Sequence, residues 1–431
     1  MNSMLLLSNR RIQQYFLVLL AIHVSLGCLR FLFPFQIINL GGNEILNQYS
    51  STLFAVGQIL GFLFVAMILT SNRSRLFVGG FFLLILMIIM AISNNPIILT
   101  ISRTFEGLGY GILFMAIVSI ATQFPDQEGE VIGGLFAAIL SGSAIGQGIA
   151  GLLWNFLKEV GNLSSSDSIQ FISYLAIIIT FLSLALLYIS FQSSSKPDKQ
   201  RWKLPHLHAI NWIRALIAIP SLGVLMIIYC LYDFAHGLYT PNLSILLVQQ
   251  GISEVLLGFG YLAGDITWGI SQIFAGRIVD RIGHPVPLIL SLMLKGIVVV
   301  FYPGISIFLS LLVVLFLAGL AEGFLEPARN KAAISIEKFQ EFAHTHNHLD
   351  MGFSSSGTFV LSIHRHEHNH QMKPETIVGT LQSTGVVFLG LGSLVGSWLL
   401  IQNISLEVVT IIGGICLIIA SLFSILLSII R

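Results

Sequence analysis

Twelve apolar stretches dominate this chain, each long enough to cross a lipid bilayer as a helix. Their approximate cores are 14–38, 50–70, 76–93, 97–122, 131–156, 169–192, 212–240, 254–274, 286–304, 307–333, 376–401 and 406–430. About 20 residues, rising 1.5 Å each, cover a hydrocarbon layer of about 30 Å. The composition agrees. Charged residues make up 10% of the 431 residues, whereas soluble domains carry about 25%. The expected fold class is therefore all-α integral membrane, with twelve transmembrane helices. The first run follows Arg10 and Arg11 and is long for a signal peptide, so it reads as a retained first span.

The polar stretch SSSKPDKQRWKLPHLH, 193–208, divides the spans six and six. It predicts an N-terminal half over 1–192, a cytoplasmic linker over 193–211 and a C-terminal half over 212–431. Lys and Arg fix the expected orientation. Placing the N-terminus in the cytoplasm puts seventeen of them on that side, from Arg10 and Arg11 through Arg73, Arg277, Arg281 and Lys331 to Arg431, and only Lys158 opposite. Both termini are then expected inside a cytoplasmic (inner) membrane, in a multi-pass protein. The net charge of +1 says nothing about partners; no nucleic-acid partner is expected, and a monomer is. Cys28, Cys230 and Cys416 all lie in apolar runs and imply no disulfide framework.

The two halves echo each other. SNRSR, 71–75, follows the second span, and VDRIG, 279–283, follows the eighth. The fourth span holds Glu106-Gly107 and the tenth holds Glu322-Gly323. AGLLW, 150–154, in the fifth span is matched by VGSWLL, 395–400, in the eleventh. Repeated halves about a midplane site are a secondary-transporter architecture.

The stretch GRIVDRIGHP, 276–285, resembles motif A of the major facilitator superfamily, G-x-L-x-D-R-x-G-R-R. Gly276, Asp280, Arg281 and Gly283 match, while His284-Pro285 depart. Asn72 and Arg73 are what survives of the first-half copy. LTISRTFEGLG, 99–109, resembles motif B, with Glu106 where the family has Gln. In the fifth span Gly133, Gly142, Gly146 and Gly151 fit motif C, with Gln147 in place of its Pro and Ala150 in place of a Gly. The resemblance covers essentially the whole chain. It implies two pseudo-symmetric six-helix halves and a transporter rather than an enzyme; no nucleophile triad, P-loop or HExxH motif is present. Motif C tilts the reading toward drug/proton antiport and export. The motif A stretch is expected to form a tight cytoplasmic turn. There Asp280, on the buried side, would meet a neighbouring helix N-terminus or its arginines and act as a latch on the two-state equilibrium. The motif C glycines also read as simple close helix packing.

An ionisable residue inside a span costs a few kcal/mol and asks for a reason. Arg30, Arg103, Glu106, Asp233, Asp265, Lys295, Glu322 and Glu326 are such residues. They read either as a proton and substrate pathway or as fixed neutral pairs. Arg103 and Glu106, at i and i+3, share a face. Lys295 is expected to snorkel. Glu326 is expected to pair with Arg329. Arg30 is expected to hold an anionic substrate group or to pair with Asp233 or Asp265. Glu322, with Glu326 one turn away, is expected to carry the proton, because like charges favour the protonated form of one. Glu106 is expected to hold Arg103 in place, and Glu106→Gln, which restores the family residue, is expected to be milder than Glu322→Gln.

One further segment stands out. The tenth and eleventh spans are joined by an insert over 335–373, where the first half needs about eight residues. It holds His344, His346 and His348, and then His364, His366, His368 and His370. Alternating imidazoles lie on one side of an extended chain and suit Zn²⁺, Ni²⁺ or Cu²⁺. The other reading is a polar loop that meets metal only incidentally. No cofactor is otherwise expected; the partners are protons, a small-molecule substrate and the lipid bilayer. The leading reading is a proton-coupled carrier of a small organic solute. The alternative is a transporter of a metal or metal chelate, with the histidine loop as sensor. His236, at i+3 from Asp233, is the one intramembrane histidine that reading would use.

Overall fold

The structure is a computed structural model that describes residues 10–67, 71–121, 128–190, 219–335, 348–353, 359–364 and 374–430. Twelve long helices account for nearly all of them. In the N-terminal half they are α1 (Arg10–Asn39), α2 (Glu44–Met67), α3 (Asn72–Ile92), α4 (Pro96–Ala121), α5 (Glu128–Glu159) and α6 (Ser165–Ser190). In the C-terminal half they are α7 (Pro220–Tyr239), α8 (Glu254–Ile282), α9 (Pro285–Phe301), α10 (Phe308–Ile334), α11 (Pro374–Ile401) and α12 (Leu406–Ile430). A short helix, Leu243–Gln249, lies between α7 and α8. The expected linker and the start of the seventh span fall outside the described residues.

Ten of the twelve are long and apolar enough to cross a membrane by length and composition. The other two are α2 and α8. They carry Asn47, Gln48, Gln58 and Asp265 among glycines, and they pack on the opposite half: α2 on α11, α8 on α5. Helices that face protein on more than one side need less apolar surface than helices that face lipid.

Two of the predicted boundaries move furthest among the described residues. α2 begins at Glu44, six residues before the expected core, and α8 runs to Ile282, eight residues beyond it. Ser253 caps the start of α8 through Leu256 N–H, and Gly283 ends it at φ 83°, a left-handed value that suits glycine. The motif A stretch is thus the last turns of a helix followed by a two-residue break, Gly283 and His284.

Close approach between helices is made by glycine, and it is made twice in the same way. A Cβ on Gly107 of α4 would run into the Phe54 carbonyl of α2 and lie 2.8 Å from Gln58 N. A Cβ on Gly323 of α10 would run into Ser271 of α8. α2 therefore lies on α4 as α8 lies on α10, the pseudo-symmetry expected from the Glu-Gly echo. The Trp echo is not kept in surroundings. Trp154 is buried against Phe35, with centroids 5.0 Å apart, while Trp398 is 58% exposed.

One apolar core fills the N-terminal half, from Ile12 through Met87 to Leu187. The other joins α1, α5 and α6 residues, including Phe31, Phe35, Ala150 and Trp154, to the C-terminal half through Tyr239, Leu243 and Leu257. The part of that core where the two halves touch sits away from the chain termini, while the rest runs down the C-terminal half to Ala333 and Leu427. With the end where α1 begins and α12 finishes taken as the near end, the halves meet toward the far end. Asn47 Nδ2 donates to Asn242 Oδ1 at 2.8 Å and to the Pro241 carbonyl at 2.6 Å. Gln48 Nε2 donates to the Gly237 carbonyl at 2.6 Å. Lys158 lies 3.9 Å from Glu254. Among the described residues, the hydrogen bonds and ion pairs between halves all lie at midspan or toward this end.

In the expected metal insert, backbone over His348–Phe353 pairs antiparallel with Phe359–His364, placing His348 opposite His364. The segment there is a two-stranded ribbon, not a structureless loop. His344, His346, His366, His368 and His370 lie outside the described residues.

Candidate functional site

The charged residues gather into two clusters, one in each half. In the N-terminal half Glu106 is fully buried and accepts from two arginines. Arg30 Nε donates to Oε1 at 2.6 Å, and Arg103 donates to Oε2. Arg103 lies over Phe33 and Phe54, 4.8 and 5.3 Å from the ring centroids, and Arg30 over Tyr110 at 5.2 Å. Desolvated guanidinium groups gain from ring faces in this way. Arg30 thus pairs with Glu106, not with Asp233 or Asp265 as one sequence reading had it. Its side chain stays 29% exposed, so one face of the cluster remains accessible. Pro34, four residues on, has no N–H for the Arg30 carbonyl and loosens α1 at this point.

The C-terminal cluster has more members. Glu322 Oε1 lies 3.1 Å from Lys295 Nζ and 4.0 Å from His236 Nε2, and Oε2 accepts from Tyr232 Oη at 2.7 Å. Glu326 Oε1 accepts from Arg329 at 2.7 Å, the expected pair. Arg329 also lies 3.9 Å from Asp233, over the rings of Tyr229 and Tyr232 at 4.3 and 4.8 Å. A Cβ on Gly385 of α11 would collide with Asp233 Oδ2, so the Asp233 carboxylate rests against α11 backbone. Pro327 breaks the ladder of α10 at the Gly323 carbonyl, beside Glu322.

Two expectations fail here. Lys295 does not snorkel: it is buried and closes an ion pair with Glu322. Glu322 is accordingly not governed by Glu326 one turn away, because each carboxylate has its own cation. The case for Glu322 from carboxylate repulsion is lost. The signal that could have found this pair is the single lysine inside the ninth span.

Asp265 lies between the clusters. Gln147 Nε2 of α5 donates to Asp265 Oδ2 at 2.8 Å and to Ser143 Oγ at 3.1 Å. The residue that replaces the motif C proline therefore reaches across to the other half. Arg30, Lys295 and Glu322 are its charged electrostatic neighbours, and Tyr110 and Glu326 interact similarly across the halves.

The motif C glycines serve two surfaces. Gly142 and Gly146 admit α1: added Cβ atoms would meet the Leu20 carbonyl at 2.5 Å and Cys28 N at 2.8 Å. Gly151 admits α8, 3.2 Å from the Glu254 carbonyl. Gly133 lies within α5, with surroundings outside the described side chains.

The charged motif A residues Arg277, Asp280 and Arg281 are exposed. Asp280, on the last turns of α8, is 67% exposed and accepts from Lys331 Nζ of α10 at 2.6 Å. It is not on a buried side, and among the described residues it meets neither a helix N-terminus nor an arginine; its partner Lys331 belongs to its own half. Arg281 is exposed, and Gly276 has open space around it. In the first-half copy Asn72 Oδ1 accepts from Arg75 at 3.0 Å, and Arg73 donates to the Tyr188 carbonyl at 3.0 Å.

Two six-helix halves related by repeat, with buried charges facing across their junction, define a membrane carrier. The Major Facilitator Superfamily profile matches residues 15–336, and the chain belongs to that family. It is similar to the protein named Multidrug resistance protein MdtG of Serratia proteamaculans (strain 568), at 26% identity over 68% of this chain and 72% of that one. The MdtG of Enterobacter lignolyticus (strain SCF1) is 25% identical, over 68% and 70%. A solved structure of the nucleoside transporter NupG superposes with a TM-score of 0.68, covering 96% of this chain and 99% of that one at 10% identity, which speaks to the fold alone. The chain is a multi-pass membrane transporter, not an enzyme.

Proposed function

We propose that this transporter exports a small organic solute across the cytoplasmic membrane in exchange for protons, by alternating access, with both termini in the cytoplasm. The observation that carries the reading is the pair of buried charge clusters, Arg30/Arg103/Glu106 and Lys295/Glu322/Arg329/Asp233, on opposite halves that are joined toward the far end. A pathway lined by carboxyls, guanidinium groups and aromatic rings suits amphipathic solutes. The partly exposed Arg30 and the rings of Phe54 and Tyr110 offer a first binding patch. The MdtG similarity favours export. With the near end cytoplasmic, the structure is closed to the outside.

The metal-chelate reading has less behind it. Arg30 is already engaged by Glu106, and no group of three His, Cys, Asp or Glu suited to a metal occurs among the described residues. A growth screen of a deletion strain against drugs, dyes, metals and siderophores tests the choice. Sensitisation to lipophilic drugs or dyes, reversed by the wild-type gene and abolished by an uncoupler, is the expected result. A phenotype confined to metals or siderophores would replace it.

A further inference from the structure

The carboxyls within the membrane-spanning helices differ in one respect. Glu106 has Arg30 and Arg103, Glu322 has Lys295, and Asp233 and Glu326 share Arg329. Asp265, at midspan in α8, has no Lys, Arg or His within 4 Å among the described residues, and its hydrogen-bond partner among them is the neutral amide of Gln147. That bond also spans the junction of the two halves. The charged groups facing Asp265 are Arg30 from α1, Lys295 from α9 and Glu322 from α10.

We propose that Asp265 is the coupling residue: it binds the transported proton, and its contact with Gln147 passes the protonation state to the α5–α8 junction. The inference rests on the proton-exchange reading above. Burying an anion with no adjacent cation is costly, and adding a proton removes the charge. The closed junction is therefore favoured with the neutral acid. Loss of the proton to cytoplasmic water leaves a carboxylate that gains by hydration, which draws α5 and α8 apart. A proton from the outer water then restores the O–H bond, and the junction closes again. No other group is consumed.

Spin labels at Val160→Cys and Leu309→Cys, exposed at the far ends of the two halves, report the junction directly and need no substrate. The purified full chain in lipid is measured across pH by pulsed distance spectroscopy. The wild type is expected to shift toward short distances on acidification along a one-proton curve. Asp265→Asn is expected to stay short at every pH. Asp265→Glu should keep a pH response, and Gln147→Ala should keep one with more of the long-distance population. A merely structural aspartate would change melting temperature in Asp265→Asn but leave the curve in place. A wild-type pH response that persists in Asp265→Asn overturns the assignment while leaving proton coupling standing. A flat wild-type curve overturns both.

Discussion

The two halves share a backbone plan and reverse its charge. α4 and α10 each carry a Glu-Gly step, and in each the glycine lets a neighbouring helix press close. Around Glu106 two arginines share one carboxylate, whereas around Glu322 three carboxylates face Lys295 and Arg329. The repeat preserves what packing needs, and the chemistry at the junction is free to diverge. One cluster carries surplus positive charge and the other surplus negative charge.

The largest expected effects come from breaking these clusters one partner at a time. Glu106→Gln strands two part-buried arginines, 29% and 15% exposed, and loss of one partner of a fully buried pair costs about 3–5 kcal/mol. It should sharply reduce the yield of folded protein, read by size-exclusion of detergent extracts, although Gln is the family residue at this position. The expectation that it would be milder than Glu322→Gln rested on the motif and on Arg103, and left out Arg30. Adding Arg30→Met to Glu106→Gln should recover much of the loss, since one stranded cation is removed. Glu322→Gln should behave alike through Lys295, with Lys295→Met as its rescue; equal losses in single and double variants would dissolve the idea of paired clusters.

Glycine substitutions sharpen the comparison at the next size down. Overpacking of this kind costs about 1–3 kcal/mol. Gly107→Ala meets the Phe54 backbone, which cannot turn away, whereas Gly323→Ala meets the Ser271 hydroxyl. Thermal melting should show Gly107→Ala to be the worse of the two, and Ser271→Ala should relieve Gly323→Ala alone.

The smallest effect is expected at Asp280. Its pair with Lys331 is exposed at both ends, and such pairs are worth at most about 1 kcal/mol. Asp280→Asn should melt close to wild type, and the difference should vanish in high salt. A large loss of stability would mean that the pair is more enclosed than its exposure indicates.

Much of the fold was legible because lipid asks so little of a sequence. Length and apolarity placed twelve helices, and the Glu-Gly echo gave the repeat. The eighth helix was cut short because Arg277, Asp280 and Arg281 look like a loop to a hydropathy reading, yet a helix can carry them once it leaves the bilayer. The site was read residue by residue but not pair by pair. Arg103 and Glu106 lie three apart and were joined correctly. Arg30–Glu106, Lys295–Glu322 and Gln147–Asp265 join distant spans, and spacing along the chain carries no information about which helices are neighbours.

The central claim is exchange of a solute for protons, and reconstituted protein tests it most directly. Proteoliposomes are loaded with acidic buffer, diluted into neutral buffer and given the compound that stands out in the growth screen. The prediction is accumulation inside that collapses when nigericin with equal potassium dissipates the gradient, and that is lost in Asp265→Asn. Uptake that is the same with and without the pH gradient would contradict the account.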